Sequence, residues 1–280
     1  MRARHWLIVP TALVLLLFLA VPYFNIVVMS VRMPGNGVPY APGWTLGNFS
    51  RFFGDAFYLE QLANTLWIGA ATTACCLVIG YPVAVQLARG APAWRGLRYG
   101  IVLTPLLVGI VIRSYGWTIL LGNNGVINRT LLGWAVIEAP LSLMYNGFGI
   151  VLALVHVLLP FMILPVMGAI QGIDPGLELA ARSLGAGRRT VFRRVVLPLS
   201  LPGIQAGCIL VFVLAISAYV TPAMIGGLRV KTAAVSVVDA LIDSFQWPFG
   251  SAMALILAAV GGTAVVLFAR ATRMTWVARQ

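Results

Sequence analysis

Long apolar runs alternate with short polar segments along the whole chain. Each run is nearly free of charged residues, and each is about 20 residues or longer, the length at which an apolar helix spans the hydrocarbon core of a bilayer. The pattern therefore predicts an all-α membrane protein with six transmembrane helices. We place these helices at 6–31, 61–88, 99–121, 141–170, 200–222 and 249–269.

The segments between the runs differ in character. Residues 32–60 are rich in Pro, Gly and aromatic residues, which predicts an ordered outer loop, and 223–248 forms a second loop on the same side. After the third run, the Asn and Gly residues of 123–128 predict a turn, followed by a short re-entrant or interfacial stretch that ends near Pro140. We divide the chain into a first helix with its outer loop (1–59), a core transmembrane domain (60–270) and a tail (271–280).

The longest polar interruption begins with a predicted short helix. Asp174 is suited to accept hydrogen bonds from the first free amides of a helix, and Pro175 fits the first helical position because its missing N–H would be unpaired there anyway. Gly185 provides the left-handed residue that commonly ends such a helix. One face of this helix is made of small and apolar side chains, namely Leu177, Ala180, Ala181 and Leu184.

Arginines concentrate on one predicted side of the membrane. An amphipathic piece at 188–196 carries four of them, and we expect it to stop at Pro198, which cannot continue a regular helix. Because basic residues favour the cytoplasmic side, both termini and the segment 174–203 are predicted to be cytoplasmic. The inner set comprises Arg2, Arg4, Arg89, Arg95, Arg98, Arg182, Arg188, Arg189, Arg193, Arg194, Arg270, Arg273 and Arg279.

Composition supports a membrane protein and argues against nucleic-acid binding. Of the 280 residues 60% are hydrophobic and 9% are charged, with a mean hydropathy of +0.95, whereas soluble proteins carry about 25% charged residues. The net charge of +12 comes from residues that lie mostly between apolar runs, with no nucleic-acid motif among them.

Residues that could support catalysis or hold a metal ion are sparse. The stretch nearest to a phosphate-binding loop, Gly226–Thr232, lacks the glycine before its lysine. Neither histidine has metal-ligand spacing, and the 7 acidic residues are scattered over the chain. We predict no catalytic site, no metal site and no nucleotide site in this chain. For His156 we expect a helix-packing or pore hydrogen bond.

The motif AARSLGAGRRTVFRRVVLP resembles the cytoplasmic loop shared by ABC importer permeases. That loop is written as Glu-Ala-Ala, three residues, Gly, nine residues, Ile, one residue and Leu-Pro. This chain departs from it at the glutamate position, which is Leu179, with the acid one place earlier at Glu178. The residues on the motif spacing are Ala180, Ala181, Gly185, Val195, Leu197 and Pro198.

The resemblance implies a type I ABC importer permease fold with a coupling loop at 174–198. In that family the loop sits in a groove of a separate ATPase, so ATP and Mg would be bound there and this chain would hold no cofactor. The residues that the resemblance assigns to coupling are Glu178, Ala180, Ala181, Leu184, Gly185 and Arg188.

Further stretches are similar to the first permease subunit of polyamine importers, and together they cover most of the chain from Asn64 onward. The similarity implies a small cationic solute such as spermidine or putrescine and a location in the cell inner membrane. Three partners are implied: a second permease subunit, an ABC ATPase dimer and an extracytoplasmic substrate-binding protein. The similar stretches are 113–128, 145–166, 219–227 and 246–252.

Candidate residues of the solute path are aromatic or charged. Aromatic rings can hold an ammonium group by cation–π attraction, and carboxylates near the outer mouth would add to it; against this, Trp and Tyr also line membrane interfaces generally. Arg113 lies inside a predicted span, as a path or gate residue or as a structural ion pair with an acid on the partner subunit or on a nearby outer segment. The candidates are Arg113, Tyr115, Trp117, Glu138, Tyr219, Asp239, Asp243 and Trp247.

Alternatives remain open at this level. The same kind of importer carries a phosphonate, sulfate or iron in other cases, and the aromatic residues alone do not separate these solutes. A channel or scaffold that needs no ATP is a second alternative, and an intramembrane enzyme is a third, against which the lack of a catalytic constellation argues.

Overall fold

A computed structural model of the chain describes residues 8–35, 38–90 and 94–277, most of them in helices. The described residues form two compact units, one of 8–62 with 233–260 and the other of 63–232 with 261–277. In chain order the elements are α1 (Ile8–Ser30), β1 (Arg32–Met33), β2 (Ala41–Trp44), α2 (Gly47–Gly54), α3 (Ala56–Arg89), α4 (Arg95–Leu107), α5 (Ile110–Leu121), α6 (Val126–Gly133), α7 (Gly147–Gln171), α8 (Pro175–Ser183), α9 (Arg188–Ile216), α10 (Val220–Gly226), α11 (Ala233–Val238) and α12 (Trp247–Val277).

Within the described residues, 5 helices are long and apolar enough to cross a membrane, and a bent pair brings the number to 6. The bent pair corrects the predicted continuous span at 99–121. α4 ends at Leu107, and the chain turns through 94° before α5 begins at Ile110. The turn lies at Val108 and Gly109, whose backbone is extended (ψ 129° and 140°) and so cannot continue a helix. The six-span architecture holds if this pair is one broken span.

The first unit contains an aromatic core and a small β-hairpin. Phe52 and Phe249 are each 2% exposed, and Tyr58 contacts both rings, with centroids 5.8 and 5.0 Å away. The antiparallel pair β1 and β2 lies in the predicted outer loop, where the Arg32 guanidinium stacks over the Trp44 ring at 4.1 Å. The predicted ordered loop therefore has structure of its own, held by ring stacking and a cation–π contact.

The second unit is built around α7. This helix is apolar apart from His156 and Gln171, and α9, α4, α10 and α5 all pack against it. α9 approaches most closely at two glycines spaced four residues apart: a Cβ on Gly203 would lie 2.6 Å from the Pro165 carbonyl oxygen, and one on Gly207 would lie 2.8 Å from the Met162 sulfur. Such small-residue spacing lets two membrane helices bring their backbones together.

The short helix of the coupling loop forms as predicted. The Asp174 side chain accepts a hydrogen bond from the Gly176 N–H at 2.8 Å, and Pro175 is the first residue of α8. Gly185 has φ +82° and ends the helix in a Schellman motif, in which its own N–H donates to the Arg182 carbonyl and the next N–H donates to the Ala181 carbonyl. Local sequence signals therefore determine both ends of this helix.

Pro198 does not end the second piece of the loop, contrary to the prediction. The helix continues from Arg188 to Ile216 because residues Phe192–Val196 form a π-helical turn, in which the Leu197 N–H donates to the Phe192 carbonyl five residues back. The wider turn takes the place of the regular bond pattern just before the proline, whose ring would otherwise clash with a preceding carbonyl.

Other span boundaries also differ from the predicted ones. α3 begins at Ala56 and not at 61, and α7 begins at Gly147 and not at 141. α9 ends at Ile216, and Pro222 belongs to the separate short helix α10, so the fifth span is shorter at its outer end than 200–222. α12 runs to Val277, past the predicted end at 269 and into the predicted tail. The terminal arginines Arg2, Arg4 and Arg279 lie outside the described residues.

The predicted turn and re-entrant stretch after the third span depend on Asn128. Its side chain is 0% exposed and donates to the carbonyls of Gly122 and Leu141 at 3.1 and 3.0 Å, while its oxygen accepts from the Leu141 N–H at 2.8 Å. One amide thus joins the turn before α6 to the irregular segment after it.

Changing Asn128 to Asp should destabilise the protein by about 2 kcal/mol, because the carbonyls of Gly122 and Leu141 lose their donor and face a carboxylate at a fully buried position instead. The same change at Asn123, which is exposed in this turn, should have no measurable effect. Thermal unfolding of the two purified variants checks this expectation, and equal melting temperatures would contradict it.

Candidate functional site

The coupling-loop helix α8 displays apolar side chains at the surface of the isolated chain. None of its residues is buried, and Leu179 and Leu184 are 63% and 90% exposed. Ala180 is exposed as well, so three neighbouring positions offer a small, apolar surface. Exposed leucines on a short helix outside the spans are typical of a docking surface for another protein.

Two predicted coupling residues face their own chain instead. Ala181 packs against a small apolar cluster formed by Ile173, Val191 and Val196. The Glu178 carboxylate lies 2.7 Å from the guanidinium of Arg89, the last residue of α3. These contacts attach α8 to the body of the second unit and leave its opposite face uncovered.

Five exposed arginines lie within α8 or shortly after it along the chain. Arg188 is the first residue of α9 and is exposed. The other four arginines of this loop are exposed too, which makes the surface strongly positive. They are Arg182, Arg189, Arg193 and Arg194.

Among the predicted path residues, Arg113 lies next to the break between α4 and α5. Its guanidinium donates a hydrogen bond to the Pro105 carbonyl, which belongs to the last turn of α4. The partner within the described residues is a backbone carbonyl near a helix end. Arg113 satisfies a carbonyl that the broken helix leaves without a regular partner.

One turn along α5, Trp117 meets His156 of α7. The Trp117 Nε1–H donates to His156 Nδ1 at 3.3 Å, and the rings contact edge to face with centroids 5.6 Å apart. Near them, the hydroxyls of Ser114 and Thr221 share a buried hydrogen bond of 3.0 Å. The expected hydrogen bond of His156 is confirmed, and its partner is a residue that was itself predicted on the solute path.

The other path candidates are at the surface of their units. Tyr115 and Tyr219 are 60% and 38% exposed, and Glu138 is exposed after α6, all in the second unit. Within the described residues, the side chains of Glu138 and Tyr219 have no hydrogen bond that would join them to Arg113 or Trp117.

The remaining three candidates belong to the first unit. Asp239 and Asp243 are the two ends of a π-helical turn, half-buried and exposed respectively. Trp247 begins α12 and lines an open cavity of about 430 Å³ together with Asn25 and Ser251. No group of three or more His, Cys, Asp and Glu side chains in the described parts of the chain could hold a metal ion.

A protein-family model described as "Binding-protein-dependent transport system inner membrane component" matches residues 6–273. The chain belongs to this family. It is the membrane subunit of a transport system, a permease, and a multi-pass inner membrane protein.

Named relatives of the permease agree with this membership. It is 32% identical over 260 residues to the spermidine/putrescine transport system permease protein PotB of Haemophilus influenzae, covering 93% of this chain and 91% of the relative. It is 34% identical over 231 residues to the protein of the same name from Escherichia coli strain K12, covering 82% and 84% of the two chains.

The fold also has a solved counterpart. The permease superposes on one chain of a bacterial ABC transporter involved in the import of the acidic polysaccharide alginate with a TM-score of 0.74, covering 97% of this chain and 96% of that chain at 18% identity. The predicted type I ABC importer permease fold is confirmed.

Two residues of the permease were not predicted for the roles their contacts give them. Arg89 was assigned only to the positive inner end of a span, yet it pairs with Glu178. Asn128 was assigned only to a turn, yet it holds that turn through three hydrogen bonds. Arg89 and Glu178 are both predicted on the inner side of the membrane, and this shared side is the signal that could have suggested their pairing.

Proposed function

We propose that this permease takes up a polyamine, such as spermidine or putrescine, as part of an ATP-driven importer. The observation that carries the proposal is the 32% identity to a spermidine/putrescine permease over 93% of the chain. The exposed apolar face of α8, with Leu184 90% exposed, supports the dependence on an ATPase partner.

In this proposal the permease works with three kinds of partner. A second, similar permease completes the path, since one set of spans does not enclose it. An ABC ATPase dimer binds ATP and Mg and docks on the coupling loops, and an extracytoplasmic binding protein delivers the solute to the outer side. Both termini and the loop 174–198 lie in the cytoplasm, as the distribution of arginines favours.

Coupling would use α8 as a rigid lever. Its capped start and its Schellman end keep the helix intact when it is pushed. Leu184, Ala180 and Arg188 would contact the ATPase, while Ala181 and Glu178 hold the helix to the permease. Closure of the ATPases on ATP would then move the spans between inward-open and outward-open states.

The solute path would rely on aromatic faces more than on carboxylates. Among the path candidates of the second unit only Glu138 is acidic, whereas Tyr115, Trp117 and Tyr219 are aromatic. An ammonium over such a ring gains about 0.5 to 2 kcal/mol, depending on how far it is desolvated. In the first unit, Trp247 with Asp239 and Asp243 would add an aromatic face and two carboxylates. Arg113, held on the Pro105 carbonyl, would keep the bent pair in shape.

The test is ATP hydrolysis by the complete complex. The permease is co-expressed with its neighbouring subunits, reconstituted in liposomes, and assayed with binding protein that is empty or loaded with spermidine or putrescine. We expect the polyamine-loaded binding protein to raise ATP hydrolysis several-fold over the empty one, together with uptake of the labelled solute.

Other outcomes discriminate among the alternatives. If phosphonate, sulfate or iron stimulates while polyamines do not, the importer assignment holds and the solute is a different one. If no ATPase co-purifies, or if the permease alone passes solute without ATP, an importer role is contradicted in favour of a channel or scaffold.

A further inference from the structure

The ion pair between Arg89 and Glu178 joins the coupling helix to a transmembrane helix. Arg89 Nη2 lies 2.7 Å from Glu178 Oε1, and the same nitrogen donates to the Ile173 carbonyl at 3.2 Å. Ile173 lies one residue before the cap of α8, so Arg89 holds both the start of α8 and its first turn. One nitrogen of the guanidinium thus contacts two points of the loop, one before α8 and one within it.

The pair is partly shielded from water. The side chains of Arg89 and Glu178 are 28% and 19% exposed, whereas the neighbours of Glu178 on α8, Leu177 and Leu179, are 49% and 63% exposed. An ion pair in such a place is screened less than one at an open surface, and leaving one partner alone there costs more.

Arg89 also ends a helix that is tightly packed. Leu87 and Ala88, the two residues before it, are 3% and 8% exposed and belong to the main core of the second unit. Further up α3, a Cβ on Gly80 would lie 3.2 Å from the Met162 side chain of α7. A displacement of Arg89 is therefore transmitted to its neighbours in α3, because the core around them is close-packed and contains no free space.

The position of the acid explains why it is turned inward. The permease family motif has its glutamate at the position of Leu179, and successive residues of a helix differ in direction by about 100°. With the acid at Glu178, the carboxylate points to Arg89, and Leu179 is left on the outer face. In this chain the carboxylate therefore contacts the permease's own Arg89 and does not lie on the exposed face of α8.

We propose that Arg89 and Glu178 form a brace that transmits movement of α8 to α3. This inference rests on the proposed importer function, and both are positioning residues that contact neither solute nor ATP. The brace converts a push on the exposed face of α8 into a displacement of the inner end of α3, because the ion pair and the Ile173 contact leave α8 little freedom to rotate on its own.

The test compares Glu178→Gln, Arg89→Gln and the exchanged pair Arg89→Glu with Glu178→Arg in the reconstituted complex. ATP hydrolysis, solute uptake and the amount of co-purified ATPase are measured for each. For the single variants we expect uptake per ATP hydrolysed to fall about three- to tenfold, as for loss of one partner of a partly shielded ion pair. Hydrolysis and assembly should remain near the unmodified level, and the exchanged pair should recover most of the lost uptake.

A matched control is Arg129→Gln, which removes an exposed arginine of α6 far along the chain from the loop and should leave the ratio unchanged. Unchanged ratios in both single variants would overturn the brace, as would an exchanged pair no better than the single ones. Loss of the ATPase from the complex would also overturn it, because the pair would then shape the docking surface. Failure of the unmodified complex to show stimulated hydrolysis would instead contradict the proposed function.

Discussion

Replacing Gly203 with valine should destabilise the permease by about 3 kcal/mol or more, as expected for severe overpacking of a core. A Cβ at this position would lie 2.5 Å from the Ala169 Cβ and 2.6 Å from the Pro165 carbonyl oxygen of α7. Because the Pro165 contact is with backbone, the clash cannot be relieved by a rotamer change, and α9 must move away from the central helix. We expect little folded protein in the membrane fraction and a melting temperature lowered by several degrees.

The matched control is Ala206→Val, three residues along the same helix. Ala206 is exposed, so the larger side chain points away from α7. This variant should be obtained at the normal level with the normal melting temperature. If Gly203→Val melts like Ala206→Val, the close approach of α7 and α9 at this glycine is not a source of stability.

Replacing Gly185 with valine should abolish transport, with uptake reduced about tenfold or more. Gly185 has φ +82°, a conformation that costs an ordinary residue about 1 to 2 kcal/mol and a β-branched one more. A Cβ there meets nothing within 4 Å, so the effect comes from the backbone and not from a collision. The helix end would unwind, and Leu184 would leave the position in which it is displayed. Solute uptake by the reconstituted complex is the measurement.

Two residues away, Gly187 provides the control. A Cβ there also meets nothing within 4 Å, but its φ is −69°, which any residue adopts. Gly187→Ala should therefore transport normally, while Gly185→Ala should fall between the unmodified protein and Gly185→Val. Normal uptake by Gly185→Val would contradict the proposed lever role of α8.

The coupling-loop helix was predictable because its signals are local. Asp174, Pro175 and Gly185 each act on the two or three residues beside them, and the structure has the expected cap and the expected positive φ. The apolar runs were equally predictable in position, since hydropathy over about 20 residues reports membrane insertion whatever the neighbours are.

Features that depend on neighbouring helices were not predictable in the same way. The break at Val108 and Gly109 lies inside an apolar run, and a hydropathy profile does not report a change in the direction of the helix axis. The partner of Trp117 comes from a separate stretch of chain, and nothing in the spacing of one stretch indicates the other. Arg113 and Pro105 lie in one apolar run, but their contact depends on the break between α4 and α5. For Glu178 the resemblance suggested a residue of the docking surface, whereas its contact with Arg89 required the fold.

The π-helical turn at Phe192–Val196 sets how far one end of α9 is rotated about the helix axis relative to the other. The Leu197 N–H to Phe192 carbonyl bond encloses one residue more than an α-helical turn does. One residue corresponds to about 1.5 Å of length but about 100° of rotation, so the wide turn hardly changes how far the arginine-bearing end reaches. It decides which way that end faces when Gly203 and Gly207 face α7. The direction in which the loop meets its partner thus depends on the rotation that a single wide turn introduces. This turn lies several residues before the glycines at which α9 packs against α7.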